Sequence, residues 1–438
     1  MVFKFRKSFC FFIYLSILVI SFHNYSFSQE YWIHKPSPVV HILNRLQFTD
    51  TLYGWASGDS GSVIHTTDGG QNWAIQNTGV TDYQIDDMFF LNRRLGWALY
   101  NTYAFNGTRI LSTTNGGLNW QVSVFPDSTR IFSCIYFNDS LNGYIGAYTG
   151  EIYRTANSGL NWTQCSLSMN GCQSYLLQKL SFSFLNSQTG YVSGGFFDRQ
   201  GIIWKTTDSG VNWNSFCVAP EPVNRILVIN HLKIMSTGGD REFGASTVQS
   251  LDGGNTWFYD TLGFFGTGNA LAYRTPKELW VPLTFSQTWA VSLDSGSYQS
   301  SWQIIPSADS IAVYDAVFKS PSFGWACGTY GGLLKYNSAI IGISEKENIV
   351  PYQSMLYQNY PNPFNPQTTI KYYISKIANV RMIIYDITGR EVMNNLLGVK
   401  SPGNYEFKFS SKNYASGVYI YKLQAGDFSE TKKMVILK

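Results

Sequence analysis

The chain has 438 residues, a length that accommodates one large domain and one smaller domain. Aromatic residues make up 16% of it and charged residues only 14%, with 39 glycines, a composition typical of short strands and tight turns rather than helices. The formal net charge is +4 and no dense run of Lys and Arg occurs, which argues against nucleic-acid binding.

The first segment is typical of a secretory signal peptide, which we predict over residues 1–28. A basic start precedes an apolar stretch from Phe9 to about Phe22, which is too short to span a bilayer comfortably. Small residues at the end of the segment predict cleavage between Ser28 and Gln29. The alternative is a segment that is retained as a membrane anchor.

An eight-residue motif, Ser/Thr-x-Asp/Asn-x-Gly-x-x-Trp, then recurs along the chain, and we call it the Asp turn. Its Asp or Asn and its Trp are Asp68 and Trp73, Asn115 and Trp120, Asn157 and Trp162, Asp208 and Trp213, and Asp252 and Trp257. A sixth copy, from Ser292, has three extra residues before its Trp302. The Asp or Asn is expected to accept hydrogen bonds from N–H groups two residues on, and the Gly to adopt a positive φ. The Trp is expected to begin an outer strand and to pack between sheets, so these residues are predicted to be structural.

A second element alternates with the Asp turn, in which a Phe is followed six residues later by Gly and an aromatic residue. The Phe and Gly are Phe48 and Gly54, Phe90 and Gly96, Phe137 and Gly143, Phe184 and Gly190, and Phe318 and Gly324. Two less regular units lie near Ile234 and at Leu279. Seven units spaced by roughly 45 residues predict four-stranded propeller blades.

The strand order within each unit also follows from the repeat. An inner strand ends at the Phe, a second strand begins at the Gly, a third enters the Asp turn, and the Trp begins the outermost strand. The first and last strands, at Tyr31-Trp32 and from Leu333 to Tyr336, each lack a partner, and pairing them closes the ring. We therefore predict an all-β protein with a seven-bladed β-propeller over residues 29–340.

The Asp turn resembles the Asp-box, or BNR, repeat of sialidase-type propellers. Its combination with the Phe and Gly-aromatic element is most similar to propellers of the photosystem II assembly-factor type. The resemblance covers about residues 30–340 and implies the fold. It also implies that the Asp turns lie at the blade periphery, on the face away from a sialidase active site.

The composition changes after Ile341, and we predict a linker over residues 341–355 and a second domain over residues 356–438. The run from Gln358 to Pro366 and the final Lys432-Lys433 resemble the type A C-terminal sorting domain of the type IX secretion system. The resemblance implies a secreted or cell-surface protein whose partner is that secretion machinery. Alternating strands predict a small antiparallel β-sandwich. The alternative is an adhesive module without a sorting role.

No catalytic, cofactor-binding or metal-binding residue is predicted. Asp59-Ser60 between two glycines resembles the nucleophile sequence of trypsin-type proteases, but the repeat places it in a blade hairpin. The arginine signature of sialidases is absent near the start, and Arg225 lies in a misplaced fragment of it. None of the histidines forms a ligand pair. A glycan-cleaving enzyme is nevertheless kept as the rival to a binding or scaffold protein, because two carboxylates could meet in the central channel.

The predicted ligand site is the rim formed by the hairpins between second and third strands together with the connections between blades. Its aromatic residues are Tyr100, Tyr103, Phe105, Tyr148, Phe196, Phe197, Phe243, Phe264, Phe265 and Tyr330. They could stack on a glycan or anchor a protein, or else fold back over the core. The five cysteines of the mature chain do not form a disulfide framework. Cys165 and Cys172 could close a small loop, although buried free thiols are the favoured interpretation.

Overall fold

The computed structural model describes residues 31–102, 107–172, 181–196, 199–240, 244–340, 354–356, 358–359, 361–374, 377–401 and 403–437. These residues form 36 β-strands and three short 3-10 helices, and no α-helix occurs among them. The 3-10 helices span Thr284–Ser286, Ala308–Ser310 and Thr329–Gly331. The predicted all-β class is confirmed. The predicted signal peptide, including Ser28 and Gln29, lies outside the described residues.

The first three blades each contain four antiparallel strands in sequence order. Blade 1 consists of β2 (Leu43–Phe48), β3 (Gly54–Gly58), β4 (Val63–Thr66) and β5 (Ala74–Ile75). Blade 2 consists of β6 (Ile85–Phe90), β7 (Gly96–Asn101), β8 (Thr108–Thr113) and β9 (Gln121–Val124). Blade 3 consists of β10 (Phe132–Phe137), β11 (Gly143–Ala147), β12 (Ile152–Thr155) and β13 (Thr163–Gln164). The strand boundaries coincide with the predicted Phe, Gly and Asp turn.

Blade 4 departs from this pattern because it has a fifth strand. It consists of β14 (Ser166–Ser168), β15 (Ser181–Phe184), β16 (Gly190–Phe196), β17 (Gln200–Thr206) and β18 (Asn212–Ala219). Strand β14 pairs parallel to β18 at the outer edge. A disulfide joins Cys172, just after β14, to Cys217 in β18. The possible link between Cys165 and Cys172 is therefore wrong, and so is the favoured interpretation of free thiols for Cys172 and Cys217. Free buried thiols are present at Cys134, Cys165 and Cys327.

Blades 5 and 6 keep the four-stranded order. Blade 5 consists of β19 (Val223–Val228), β20 (Ile234–Asp240), β21 (Gly244–Ser250) and β22 (Phe258–Thr261). Blade 6 consists of β23 (Ala272–Tyr273), β24 (Leu279–Leu283), β25 (Thr288–Ser292) and β26 (Trp302–Pro306).

The last sheet joins the two ends of the propeller. It consists of β27 (Val313–Ser320), β28 (Phe323–Gly328) and β29 (Leu333–Tyr336), completed by β1 (Trp32–Lys35). Strands β1 and β29 pair antiparallel, with Trp32 opposite Tyr336. The predicted closure by the first and last strands is confirmed, and the described residues before 341 thus form seven sheets.

The Phe and Gly-aromatic element holds neighbouring blades together. Phe48 lies opposite Gly54, and a Cβ at residue 54 would come within 2.5 Å of the Phe48 ring. Glycine is required there because the ring covers the backbone. The next residue, Trp55, stacks on Phe90 of blade 2 at 3.8 Å and donates a hydrogen bond from Nε1 to the Gly116 carbonyl. Each aromatic residue after the Gly thus belongs to the interface with the following blade.

The C-terminal residues form two further antiparallel sheets. One contains β30 (Met355–Leu356), β31 (Gln367–Ile374) and β34 (Gly403–Ser410). The other contains β32 (Ala378–Asp386), β33 (Glu391–Lys400), β35 (Gly417–Ala425) and β36 (Phe428–Ile436). Both sheets contribute to one core, with Ile370 and Phe409 from the first and Met382, Ile384 and Leu423 from the second. The predicted small β-sandwich is confirmed.

Candidate binding site at the channel mouth

The Asp turns are closed by their own side chains. In the first, Asp68 Oδ1 accepts hydrogen bonds from Thr66 Oγ1 and from the backbone N–H of Asn72, and Asp68 Oδ2 accepts one from Asn72 Nδ2. The Thr66 hydroxyl in turn accepts a hydrogen bond from the Gly70 N–H. The acceptor role that the sequence predicts is present, but the N–H group that contacts Oδ1 at 3.0 Å lies four residues on rather than two.

The hydrogen bond from the backbone N–H four residues on to Oδ1 also occurs at Asn115, Asn157, Asp208 and Asp252. The carboxylates at 68, 208 and 252 have a lowered pKa, and that of Asp68 falls to about 2 because Asn72 donates to it from both backbone and side chain. All these donors belong to the turn itself, so the Asp and Asn side chains are used in holding its shape.

The tryptophans of the Asp turns lie between blades but are mostly not fully buried. Trp213 is buried, whereas four others are only half-buried, namely Trp73, Trp120, Trp162 and Trp257. Trp120 contacts Phe90 edge-to-face at 5.9 Å, and its Nε1 has no hydrogen-bond partner in the described structure. The fully buried rings are instead those after the Gly, such as Trp55 and Trp325.

The rim is formed by the hairpins and inter-blade connections that the strand order predicts. Asp59 in the β3–β4 hairpin donates its N–H to the Ile42 carbonyl, and Gly61 donates to the Tyr83 carbonyl, so the hairpin contacts the connections on both sides of blade 1. Among the predicted aromatic residues, Tyr330 is 81% exposed and Phe265 is 58% exposed.

The other rim residues are less accessible or lie elsewhere. Half-buried side chains are Tyr100, Tyr148, Phe196 and Phe264. Outside the described residues lie Tyr103, Phe105, Phe197 and Phe243. Ligand binding by these residues stays a prediction.

The inner strands of the blades surround a central cavity of about 390 Å³. Arg45 on β2 and Asp87 on β6 form an ion pair there, with Nε and Oδ1 separated by 2.6 Å. Arg225 on β19 approaches Asp315 on β27, with Nη2 and Oδ2 separated by 3.5 Å. We call these four residues the channel quartet.

Both carboxylates of the quartet also link blades. Asp87 Oδ2 accepts the N–H of Ile135 in blade 3, and Asp315 Oδ2 accepts the N–H of Leu46 in blade 1. Although burial alone would lower the pKa of Arg45, Asp87 and Asp315 raise it above its usual value. The quartet is therefore a fixed set of compensated charges, in which Arg225 is the more exposed cation with 30% of its side chain accessible.

Asp86 lies next to the quartet on β6 and has a different electrostatic environment. Its carboxylate accepts hydrogen bonds from the backbone and side-chain amides of Asn101. Burial nevertheless raises its pKa to about 7, and the negative charge of Asp87 adds to this effect. Burial, with a contribution from Asp86, likewise raises the pKa of Tyr148 on the rim to about 12.

Sequence reasoning missed the quartet, although the repeat contains a signal for it. Each member lies three residues before the Phe position of its repeat unit, which Val228 occupies in blade 5: Arg45 before Phe48, Asp87 before Phe90, Arg225 before Val228 and Asp315 before Phe318. Residues at one position of successive inner strands face the same channel level. Aligning the units on the Phe would have placed two Arg and two Asp together.

No group of three or more His, Cys, Asp and Glu side chains in the described ranges could hold a metal ion. Within the same ranges, no helix is long and apolar enough to cross a membrane.

The comparisons with known proteins concern the two parts of the chain separately. Residues 358–437 match the secretion system C-terminal sorting domain. This agrees with the sequence resemblance and indicates export through the type IX secretion system to the cell surface or extracellular space. It also implies that the sorting domain interacts with that machinery.

The propeller is similar to photosystem II assembly proteins. A Ycf48 protein from Thermosynechococcus vestitus is 24% identical over 323 residues, which cover 70% of this chain and 84% of the relative. A Ycf48 lipoprotein from a Nostoc species is 24% identical over 324 residues, covering 71% and 88%.

Solved structures show the same fold at low sequence identity. The structure described as YCF48 bound to D1 peptide aligns with a TM-score of 0.56 and 21% identity, covering 70% of this chain and 97% of that one. A GH74 xyloglucanase from Xanthomonas campestris aligns with a TM-score of 0.55 and 11% identity, covering 78% of this chain and 59% of the enzyme. Structural neighbours therefore include both enzymes and proteins of other kinds, and they support the propeller fold.

Proposed function

We propose that this protein is a binding or scaffold propeller that operates outside the cell and recognises its ligand at the rim and channel mouth. The observation that carries the proposal is the contrast between the channel and the rim. In the channel, the carboxylates of Asp87 and Asp315 each face an arginine and accept a backbone N–H group. At the rim, Tyr330 and Phe265 expose aromatic surface to solvent.

A polypeptide segment is the ligand class that we favour, and a glycan is the alternative. Exposed Tyr and Phe provide the anchors that protein interfaces use, and the partly exposed Arg225 adds a cation at the channel. The propeller fold of a protein solved with a bound peptide supports this choice by analogy only.

Binding by the exported full-length protein to peptide and glycan arrays tests the proposal. The double variant Tyr330→Ala/Phe265→Ala should lose most of the captured signal, because it removes both exposed anchors. The control is Leu118→Ala, since Leu118 is similarly exposed, at 76%, but lies in an Asp turn. Undiminished capture by the double variant would place the ligand elsewhere.

We also propose that the two domains fold and act independently, with boundaries near residues 340 and 356. The ring is closed by Trp32 and Tyr336, both of which precede the sorting domain. Deleting Leu356 to Lys438 should therefore leave a folded propeller in the periplasm of a host that has the secretion system. Normal amounts in the medium or on the surface would contradict the sorting role, and loss of the protein altogether would contradict independent folding.

A glycan-cleaving activity is the second candidate, and Asp86 is the residue that favours it. A carboxyl group with a pKa raised to about 7 can serve as a general acid near neutral pH. If the wild-type protein cleaves any member of a glycan panel, Asp86→Asn should abolish the cleavage, whereas Asp68→Asn in an Asp turn should not. Absence of cleavage by the wild-type protein would remove this candidate.

A further inference from the structure

A second cavity, of about 360 Å³, lies at the junction of blades 3 and 4 beside the third Asp turn. It is separate from the channel, and it is lined mainly by polar residues, including Asp139, Arg154, Asn161, Thr163 and Ser209. Its volume is within the usual range for pockets that bind small ligands. A polar lining of this kind suits a hydroxylated ligand rather than an apolar one.

The cation in this pocket lacks the contacts that its counterpart in the next blade makes. Arg154 lies opposite Tyr144, as Lys205 lies opposite Tyr191 in blade 4. Lys205 Nζ donates to the Gly253 carbonyl at 2.7 Å and to Asn255 Oδ1 at 3.2 Å. Within the described ranges, no group accepts a hydrogen bond from the Arg154 guanidinium.

The neighbouring Asp turn accounts for one of the two missing contacts. In the turn that faces Arg154, the position of Asn255 is occupied by Val211, which offers no side-chain acceptor. The position of Gly253 is occupied by Ser209, whose carbonyl accepts the hydroxyl of Tyr144 at 3.0 Å, just as the Gly253 carbonyl accepts that of Tyr191, but no hydrogen bond runs to it from Arg154. The N–H donors of the Arg154 guanidinium consequently stay available to a ligand.

An amide group in the same pocket is also left without its usual partner. In the first and fourth Asp turns, the amides of Asn72 and Asn212 donate to an Asp Oδ2 at 2.8 Å. In the third turn the acceptor is Asn157, and its Oδ1 accepts only the Asn161 backbone N–H and the Thr155 hydroxyl. Among the described residues, the Asn161 amide therefore has no side-chain partner.

The one carboxylate that lines the pocket is occupied by its own turn. Asp139 Oδ1 accepts the N–H groups of Leu141 and Asn142, and its Oδ2 accepts the Asn142 side-chain amide. These donors lower the pKa of Asp139 although partial burial opposes them. The carboxylate does not neutralise Arg154 through a direct hydrogen bond.

We propose that this pocket binds a carboxylate-bearing sugar residue, that is, a hexuronate of an acidic polysaccharide. The planar guanidinium of Arg154 would hold the carboxylate through two parallel hydrogen bonds. The Asn161 amide and the hydroxyls of Thr163 and Ser209 would bind ring hydroxyls, for which amides and hydroxyls provide both donors and acceptors. The site is independent of the rim, so its failure and the failure of rim binding are distinguishable.

Calorimetric titration of the full-length exported protein with galacturonate, methyl glucoside, acetate and inorganic phosphate tests the proposal. Galacturonate should bind at least about tenfold more tightly than each of the other three probes. Arg154→Gln should weaken galacturonate binding by about tenfold or more, and Arg154→Lys should recover only part of the loss because it cannot form the bidentate pair. Lys205→Gln is the matched control and should change the affinity by less than about twofold.

Several results would overturn the assignment. Equal binding of methyl glucoside would show that the carboxylate is not recognised, and equal binding of phosphate would indicate a general anion site. Equal affinities of the Arg154→Gln and wild-type proteins would exclude this pocket, provided that melting curves show both to be folded. If Arg154→Gln does not fold, Ser209→Ala and Asn161→Ala should each reduce galacturonate binding, and unchanged binding in both would overturn the proposal.

Discussion

Blades 1–3 and blades 5–6 have the same strand order but different contents at their interfaces. In the first group a Phe lies over a Gly, and the next aromatic ring stacks on the Phe of the following blade, as Trp97 does on Phe137 at 3.6 Å. In blade 5 the Phe and Gly positions are occupied by Val228 and Ile234, which are cross-strand partners. In blade 6 they are Tyr273 and Leu279.

This comparison shows that the strand register within a blade and the side-chain packing between blades have different origins. The six-residue offset between the two positions is kept in every one of these blades, and in each case the two residues lie opposite one another. The ring stack is not kept. In blade 5, Lys233 instead donates from Nζ to the Ser295 carbonyl of the next Asp turn at 3.0 Å. The length of the turn between the first and second strands therefore sets the strand register within a blade. Different kinds of side-chain contact can hold one blade against the next.

The largest expected effect of a substitution is at Trp55 in blade 1. Trp55→Ala should lower the free energy of unfolding by about 3–5 kcal/mol, because it removes a buried ring stacked on Phe90 and leaves a cavity. Trp120→Ala should cost less, about 1–3 kcal/mol, since that ring is half-buried and makes an edge contact. Urea unfolding of both variants measures the two values. An equal or larger loss at Trp120 would contradict the assignment of the main inter-blade contact.

A glycine under a stacked ring should be the next most sensitive position. Gly143→Ala in blade 3 would place a Cβ within 2.5 Å of Phe137, which is itself stacked on Trp97. We expect a loss of about 1–3 kcal/mol from overpacking.

The matching position in blade 5 should lose stability when its side chain is shortened rather than enlarged. Ile234 is buried there, so that shortening it to Val should cost about 0.5–1.5 kcal/mol. Calorimetry of both variants would test this comparison. A neutral Gly143→Ala substitution would show that the Phe ring can move aside.

Replacing the polar contact of blade 5 should have a smaller effect. Lys233→Met keeps most of the aliphatic stem and removes one hydrogen bond to the Ser295 carbonyl. The expected loss is about 0.5–1.5 kcal/mol in the free energy of unfolding. Lys319→Met, which changes a lysine without such a contact, serves as the control for the change in charge. A loss as large as that of Trp55→Ala would mean that a single polar contact can replace the ring stack.

The fold could be predicted from the sequence because the repeated residues mark where the strands begin and end. The offset from Phe48 to Gly54 and the unpaired strands at Trp32 and Tyr336 predict the blade order and the closure of the ring. The parallel strand Ser166–Ser168 was not predicted, since three residues of mixed polarity carry no period, and its disulfide joins Cys172 to a cysteine 45 residues away.

The candidate sites were harder to predict from the sequence, for a different physical reason. The channel quartet brings together single residues from four strands that are far apart in the sequence, so no local motif marks it. Arg154 also lacks a local signal, because its lack of partners depends on Val211 in the next blade. The exposure of the rim aromatic residues depends on how each loop folds. Tyr330 is exposed whereas Tyr148 is half-buried, although both lie at hairpins.

The smallest predicted effect compares Asp turns that contain Asp with those that contain Asn. The pKa of Asp68 is lowered to about 2 in the folded protein, below the value of about 3.9 for an unfolded chain, because Asn72 donates to the carboxylate. A lowered pKa means that the ionised group stabilises the folded state above about pH 4, and that this contribution is lost as the pH falls toward about 2. Asp68→Asn should retain the turn, as Asn115 and Asn157 do, but without this titration. Melting temperatures measured from pH 6 to pH 2 should therefore be slightly lower for the variant at pH 6 and should converge with those of the wild type near pH 2. Parallel curves for the two proteins over the whole range would show that Asp68 does not contribute to the acid sensitivity of the propeller.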